Sequence, residues 1–244
     1  MIRVGIGGWN YEPWRETFYP KGTPQAKELD YASRQVTAIE INATFYRTQS
    51  AASFKKWAAA TPADFVFSVK APRAAAQRKD LREAKDSIAW FFDSGVGELG
   101  PKLGPIFWQM APYKKFDAAE MTAYFDMLPE KLNKQKLRHA LEVRHESFTD
   151  DAFLKLARER NIAVVTVESE KHPLVTEPTA DFAYARLELT QADEATGYPK
   201  PALKQWAKTA RAWEKSGDVF LYFISGAKER NPAAAKAMLE ILKK

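Results

Sequence analysis

The sequence has no cysteine. That excludes disulfides, thiolate nucleophiles and cysteine-ligated metal centres. Histidine is scarce, with three in 244 residues. No apolar run approaches the roughly 20 residues that a membrane-spanning helix needs. The opening MIRVGIGGWN lacks the apolar stretch of a signal peptide and reads directly as a strand. These absences lead us to expect a cytoplasmic protein with no membrane partner. A dinucleotide-type phosphate loop is also missing, because GIGGWNYEPW runs from its glycines into aromatics instead of opening a helix. No serine stands in a nucleophile-elbow pattern.

Charge of one sign is only slightly in excess. Lysine and arginine number 37 against 31 acids, a net charge of +6. The balance allows anionic ligands or nucleic acid without requiring either. Part of the surplus lies in KAPRAAAQRKDLREAK (70–85), with six bases and two acids. Its plainest reading is a solvated loop and helix face.

What the sequence has is a rhythm of short apolar strands and amphipathic helices along its whole length. Strands are expected at 2–7, 38–43, 65–70, 105–110, 139–144, 162–168, 182–188 and 219–224. Helices are expected at 25–35, 50–60, 80–93, 117–131, 150–160, 201–215 and 232–243, the last with Asn231 as N-cap before Pro232. The stretch SEKHPLVTEPTAD, between strands six and seven, has two prolines and no helical period. The alternation predicts parallel strands with helical crossovers. Eight strands in this length make a single α/β domain over 1–244, a (β/α)8 TIM-like barrel with one degenerate unit between strands six and seven. An open doubly wound sheet is the rival, weakened by the missing phosphate loop.

Alternate residues of a strand share a face. On that basis Glu40 groups with Asn42, Ser68 with Lys70, and Phe107 with Gln109. Glu142 groups with Arg144, Thr166 with Glu168, and Tyr184 with Arg186 and Glu188. Most of these polar residues fall at the C-terminal ends of their strands. The outer face of a barrel packs on helices and is apolar, so charges on strands belong inside, near the open rim. A lone buried charge costs several kcal/mol, so they must neutralise one another. Lys70, Arg144 and Arg186 are expected to pair with Glu40, Glu142, Glu168 and Glu188. Such a ring either closes the barrel top or forms a site, and the C-terminal rim is where barrel enzymes place their chemistry.

The first loop is aromatic, with Trp9, Tyr11, Trp14, Phe18 and Tyr19. It serves either as a stacking surface or as a plug for the barrel mouth. Trp108 should face outward into the helices. Of the histidines, His139 falls at the wrong end of its strand and His172 lies in a loop before Pro173. His145 alone stands at the rim, just after Arg144. One histidine with carboxylates is a weak basis for a metal, and neither a metal nor an organic cofactor is expected. Paired carboxylates across strands leave a glycosidase reading open but unsupported.

The segments GIGGWNYEPWRETFYP, EINATFYR, FVFSVKAPR, LGPIFWQMAP, LEVRHESF and FAYARL, in this order along nearly the whole chain, resemble the YecE-like family. This bacterial family is a domain of unknown function, family seventy-two. The resemblance implies a TIM-barrel-like fold, compared with the endonuclease IV and xylose isomerase barrels, and no established reaction. Gly8-Trp9, Glu40-Ile41-Asn42, Thr44-Phe45-Tyr46, Lys70, Gln109, Glu142, Arg144 and Arg186 stand where the family pattern has them. The chain departs from it at Ala76-Gln77, Glu188-Leu189 and Ile224-Ser225, where the family has Thr-His, His-Gly and two asparagines. Two rim histidines and an amide pair are thus absent together, so any chemistry they carry in the family is lost or reassigned here.

The expected function is binding of a small anionic ligand, of phosphate or sugar-acid type, at the C-terminal rim. Lys70, Arg144 and Arg186 would bind the anion. Trp9, Asn42, Gln109, His145 and Glu168 would complete the ligand site. Glu142 and Glu40 would act as acid or base if a reaction takes place. Two alternatives stand beside this reading. One is nucleic-acid binding or processing, prompted by the endonuclease comparison, the basic stretch and the aromatics. The other is a non-enzymatic scaffold, prompted by the absent histidines.

Overall fold

A computed structural model of the chain, describing residues 1–243, shows nine parallel strands. In chain order they are β1 (Ile2–Gly7), β2 (Ala38–Ile41), β3 (Val66–Lys70), β4 (Leu103–Gln109), β5 (His139–Glu142), β6 (Ile162–Val164), β7 (Thr166–Glu168), β8 (Phe182–Leu187) and β9 (Asp218–Phe223). Across the sheet they run β6-β5-β4-β3-β2-β1-β9-β8-β7. The two ends of that order are halves of one chain segment, parted only by Val165. β6 pairs with β5, and β7 pairs with β8. The Val165 N–H donates to Leu141 O at 2.9 Å. The ladder thus returns on itself as an α/β TIM-like barrel. Sequence position 162–168, expected as one strand, supplies both closing edges.

The crossovers are helical where the sequence carries a helical period, and three of the helices also carry a side-chain cap. Ser50, Asp117 and Asp150 accept the first free N–H groups of helices Ala51–Ala59, Ala118–Asp126 and Asp151–Glu159. Lys85–Asp93, Lys200–Glu214 and Asn231–Leu242 complete the main set. Three expectations need correction. The helix expected over 117–131 stops at Asp126, because Pro129 and a hairpin pairing Lys131–Leu132 with Gln135–Lys136 follow. The helix at 25–35 shortens to Glu28–Ala32 after a 3-10 turn. Asn231 is not an N-cap: it is the first helical residue, buried, and its Oδ1 accepts from the Thr190 hydroxyl at 2.9 Å. Between β7 and β8 there is no helix, only loop, as the prolines predict.

Two apolar layers result. Outside the barrel, Trp108 packs edge-on to Tyr124 and Phe91. Its Nε1–H donates to His139 Nδ1 at 3.1 Å, and the other ring nitrogen of His139 meets Pro129 O at 2.9 Å. That sets the Nε2–H tautomer, and burial pushes the His139 pKa down to about 4. Inside the barrel lies a smaller cluster around Phe107, Tyr184, Phe220 and Tyr222. Phe107 and Tyr184 stack at 5.5 Å. This aromatic floor fills the lower barrel, with the Ser68 hydroxyl bonded to that of Tyr222 at 2.7 Å, and the charged ring lies above it at the C-terminal mouth.

The interior is tight enough to require glycine on β1. A Cβ on Gly5 would fall 2.3 Å from Ala38 O and 2.8 Å from the Tyr222 ring. Gly5→Ala should therefore destabilise the fold by about 1–3 kcal/mol. Urea unfolding checks this: the midpoint should fall at unchanged slope, and an unmoved midpoint would contradict the close approach.

Candidate functional site

The mouth is organised by Arg186 near the end of β8. Its guanidinium reaches three carboxylates. It lies 2.5 Å from Glu142 Oε2, 2.9 Å from Glu188 Oε1 and 3.3 Å from Glu40 Oε2. The guanidinium carbon sits 4.8 Å above the centre of the Phe107 ring, so the aromatic floor supports the charge from below. Arg186 is only 4% exposed, and Glu40 and Glu142 are fully buried.

The remaining lone pairs are also used. Glu142 Oε1 accepts from Gln109 Nε2 at 2.8 Å and from Arg144 Nε at 2.7 Å. Glu40 Oε2 accepts from the Tyr184 hydroxyl at 2.7 Å. Strand register explains the meeting: Gln109 lies opposite Glu142, Tyr184 is two residues before Arg186, and Glu188 is two residues after it. Burial acts to raise the Glu142 carboxyl, but Arg186 and Arg144 together outweigh it and hold its pKa at about 2. Glu188 is less enclosed and goes the other way, pushed up by burial against the pull of Arg186.

Lys70 is the exception. It ends β3, is 8% exposed, and has neither a hydrogen bond nor an ion pair. Its Nζ is not among the sealed, unpartnered polar atoms, so it keeps a small exposed edge. It sits 4.1 Å from the Phe45 ring centre and 5.6 Å from that of Phe107. The local chain sets this up: the Thr44 hydroxyl donates to Lys70 O at 2.6 Å, which locks the turn after β2 onto β3. Burial, with the nearby charge of Arg186, brings the Lys70 pKa down to about 8, while Glu40 and Glu142 pull the other way.

Trp9 and Asn42 lie in a neighbouring groove of about 550 Å³, lined also by Tyr11, Tyr46, Trp57, Arg47 and Lys228. The aromatic loop divides between the two roles expected of it. Trp14 is fully buried with Phe18 and Tyr19 packed nearby, whereas Trp9 and Tyr11 face the groove. The Lys228 ammonium lies 4.3 Å over the Tyr11 ring. Nothing in the sequence flags Lys228, which is more than 200 positions away.

Several expected residues are placed differently. Glu168 does not join the ring. It faces outward, where it accepts from the Tyr198 hydroxyl and from Trp206 Nε1 at 2.7 Å. Thr166 faces outward too, bonding Val175 O, while Val165 and Val167 fill the interior. His145 caps the following 3-10 turn, its Nδ1 accepting from the Ser147 N–H at 3.1 Å. The acid–base role expected of Glu142 and Glu40 is corrected as well. Both are sealed from solvent, and their oxygens are committed to arginine, tyrosine and glutamine. The basic stretch 70–85 is not one patch: Lys70 points inward, Arg82 pairs with Asp80, and Arg78 approaches Glu83. Among the described residues, no group of three or more histidines and acids is arranged to hold a metal ion, and no helix is long and apolar enough to cross a membrane.

A closed parallel barrel with its polar residues gathered at the C-terminal mouth defines a TIM-like barrel protein. The chain belongs to the DUF72 family, described as a protein of unknown function, whose model matches residues 3–244. This is the YecE-like family that its motifs resemble. The UPF0759 protein YunF of Bacillus subtilis (strain 168) is 28% identical over 184 residues, covering 73% of this chain and 61% of that protein. The chain thus aligns with less than two thirds of that relative's length. A DUF72 family protein from Thermotoga maritima MSB8 shares the fold with a TM-score of 0.80 at 21% identity, over 100% of both chains. D-Psicose 3-epimerase from Clostridium cellulolyticum H10 is similar in fold alone, with a TM-score of 0.57 at 12% identity over 99% of this chain and 98% of that one.

Truncating Glu142→Ala leaves Arg186 and Arg144 short of a buried counter-charge and should cost about 3–5 kcal/mol. A carboxyl held below its unfolded value stabilises the fold only while ionised. Its contribution is present above about 4.5 and is lost as pH falls through about 2. Urea titrations of the wild type and the variant should therefore converge across that window. A difference that stays constant would refute the assignment.

Proposed function

We propose that the mouth binds a small anionic ligand, of phosphate or sugar-acid type, with Lys70 as its main contact. The observation that carries this reading is the unpaired state of Lys70. Around it, Arg186 is satisfied by three carboxylates and Arg144 by Glu142. A buried ammonium without a partner is costly, and an arriving anion would relieve that cost. Arg144, with its side chain 21% exposed, is the second cation open to the ligand. Gln109 spends one amide hydrogen on Glu142, which leaves the other for the ligand. Glu40, Glu142 and Arg186 act from behind as a fixed scaffold.

The neighbouring groove favours a second reading, single-stranded nucleic acid. Trp9, Tyr11, Tyr46 and Trp57 offer faces for base stacking. Arg47 and Lys228 have no carboxylate partner and stand ready for phosphates.

Two measurements separate these readings. Calorimetry with phosphate and small sugar acids should show binding that Lys70→Met and Arg144→Ala each weaken by about tenfold or more, about 1.4 kcal/mol. Unchanged binding in both variants would sink the anion reading. Lys70→Met should at the same time stabilise the fold by about 0.5–2 kcal/mol at neutral pH. A lysine held below its unfolded value destabilises while charged, so this gain should fade as pH rises from about 8 toward 10.5. For the groove, oligonucleotide affinity should fall steeply with salt, and Arg47→Ala and Lys228→Ala should each lower the slope by about 1. Absence of binding at low salt removes the second reading.

A further inference from the structure

We infer that Lys70 is a covalent site: its amine condenses with the carbonyl carbon of a small oxo acid to form an imine. This rests on the anion-binding reading and narrows the ligand to one that carries both a carboxylate and an aldehyde or ketone.

Three features of the geometry lead there. Lys70 Nζ has no hydrogen bond or ion pair to occupy it. It rests on an apolar bed, 4.1 Å from the Phe45 ring centre and 5.6 Å from that of Phe107. It is nevertheless not wholly sealed, unlike the buried unpartnered atoms Glu28 Oε2 and Arg186 Nε. Desolvated lysines beside another cation are the ones that serve as nucleophiles. Arg186 supplies the neighbouring cation, and its own carboxylates keep it from competing for the ligand.

The other enclosed lysines show how particular this is. Lys114 is as buried but pairs with Glu120 at 2.7 Å. Lys102 donates to the carbonyls of Ala58 and Thr61 and to the Thr61 hydroxyl, at 2.5–3.0 Å. Both have acceptors within hydrogen-bond distance of the amine. Lys70 has none.

The step balances without any oxidant or reductant. The Nζ lone pair attacks the carbonyl carbon, and the C=O π pair moves to oxygen, which takes a proton. Nitrogen then loses a proton to solvent. The carbinolamine hydroxyl is protonated by solvent at the open edge and leaves as water with the C–O pair, as nitrogen forms the C=N bond. The ligand carboxylate meets Arg144. Burial favours the free amine: with a pKa of about 8, roughly a tenth of Lys70 is neutral at pH 7, against roughly one part in 3,000 for an ordinary lysine.

The test uses the full chain with glyoxylate and sodium cyanoborohydride, which reduces any imine to carboxymethyl-lysine, read by peptide mass spectrometry. Lys70 should be modified at least about tenfold faster than the exposed lysines, since lower basicity and restricted entry offset part of its gain in free amine. Its rate should rise with pH and level off above about 8. Lys70→Arg should remove this fast phase and leave the slow labelling of other lysines. Labelling of Lys70 no faster than of exposed lysines, or none at all, overturns the inference. Calorimetry with phosphate separates the two readings. Lys70-dependent phosphate binding without fast labelling leaves anion binding standing and ends the imine. Fast labelling by formaldehyde, but not by glyoxylate, would show a reactive amine with no anion site and overturn the oxo-acid assignment.

Discussion

The structure depends on one guanidinium buried in a barrel. Arg186 sits on the ring of Phe107 and holds Glu40, Glu142 and Glu188 from β2, β5 and the end of β8. No single pair would repay the desolvation of an arginine at this depth. Three carboxylates at once, with Tyr184, Gln109 and Arg144 filling the remaining lone pairs, make a network in which every charge but one is satisfied. Such a network fixes the relative positions of strands that are far apart in the chain. It also sets the dielectric and electrostatic conditions for whatever faces the mouth.

Much of this was legible in the sequence, for definite physical reasons. A parallel barrel needs apolar outer faces, so polar residues at alternate positions near strand ends pointed to the interior for Glu40, Lys70, Gln109, Glu142 and Arg186. The same reasoning failed for Glu168. It assumes that the outer helices present only apolar groups, whereas the helix Lys200–Glu214 and the turn before it direct Trp206 and Tyr198 toward Glu168. Tyr198 and Trp206 supply polar partners on that side, so a charge on the outer face is satisfied. The early end of the helix expected to reach residue 131 had a visible signal in Pro129. Lys228 had none, because its place over Tyr11 is made only when β9 closes against β1.

The sequence shows which charges exist but not which are spent. Glu142 and Lys70 lie in the same ring, and both have displaced pKa values, yet they differ in kind. Glu142 is held down by two arginines and cannot take up a proton near neutral pH without breaking the network. Lys70 is brought down chiefly by lost solvation, which is reversible the moment a ligand supplies new partners. The first is a fixed charge and the second a responsive one. In this ring the fixed charges frame the responsive group.

This division also accounts for Glu188, which stands where the family resemblance places a histidine. It adds a third carboxylate to Arg186 at 2.9 Å. Without it the ring of Lys70, Arg144 and Arg186 would face only Glu40 and Glu142, and the mouth would carry one net positive charge. With it the charges number three of each sign, and Arg186 faces three carboxylates, although its buried Nε makes no hydrogen bond. The exchange of an imidazole for a carboxylate at this point therefore does more than delete a titrating group. It leaves Lys70 as the one cation of the ring without an ion pair.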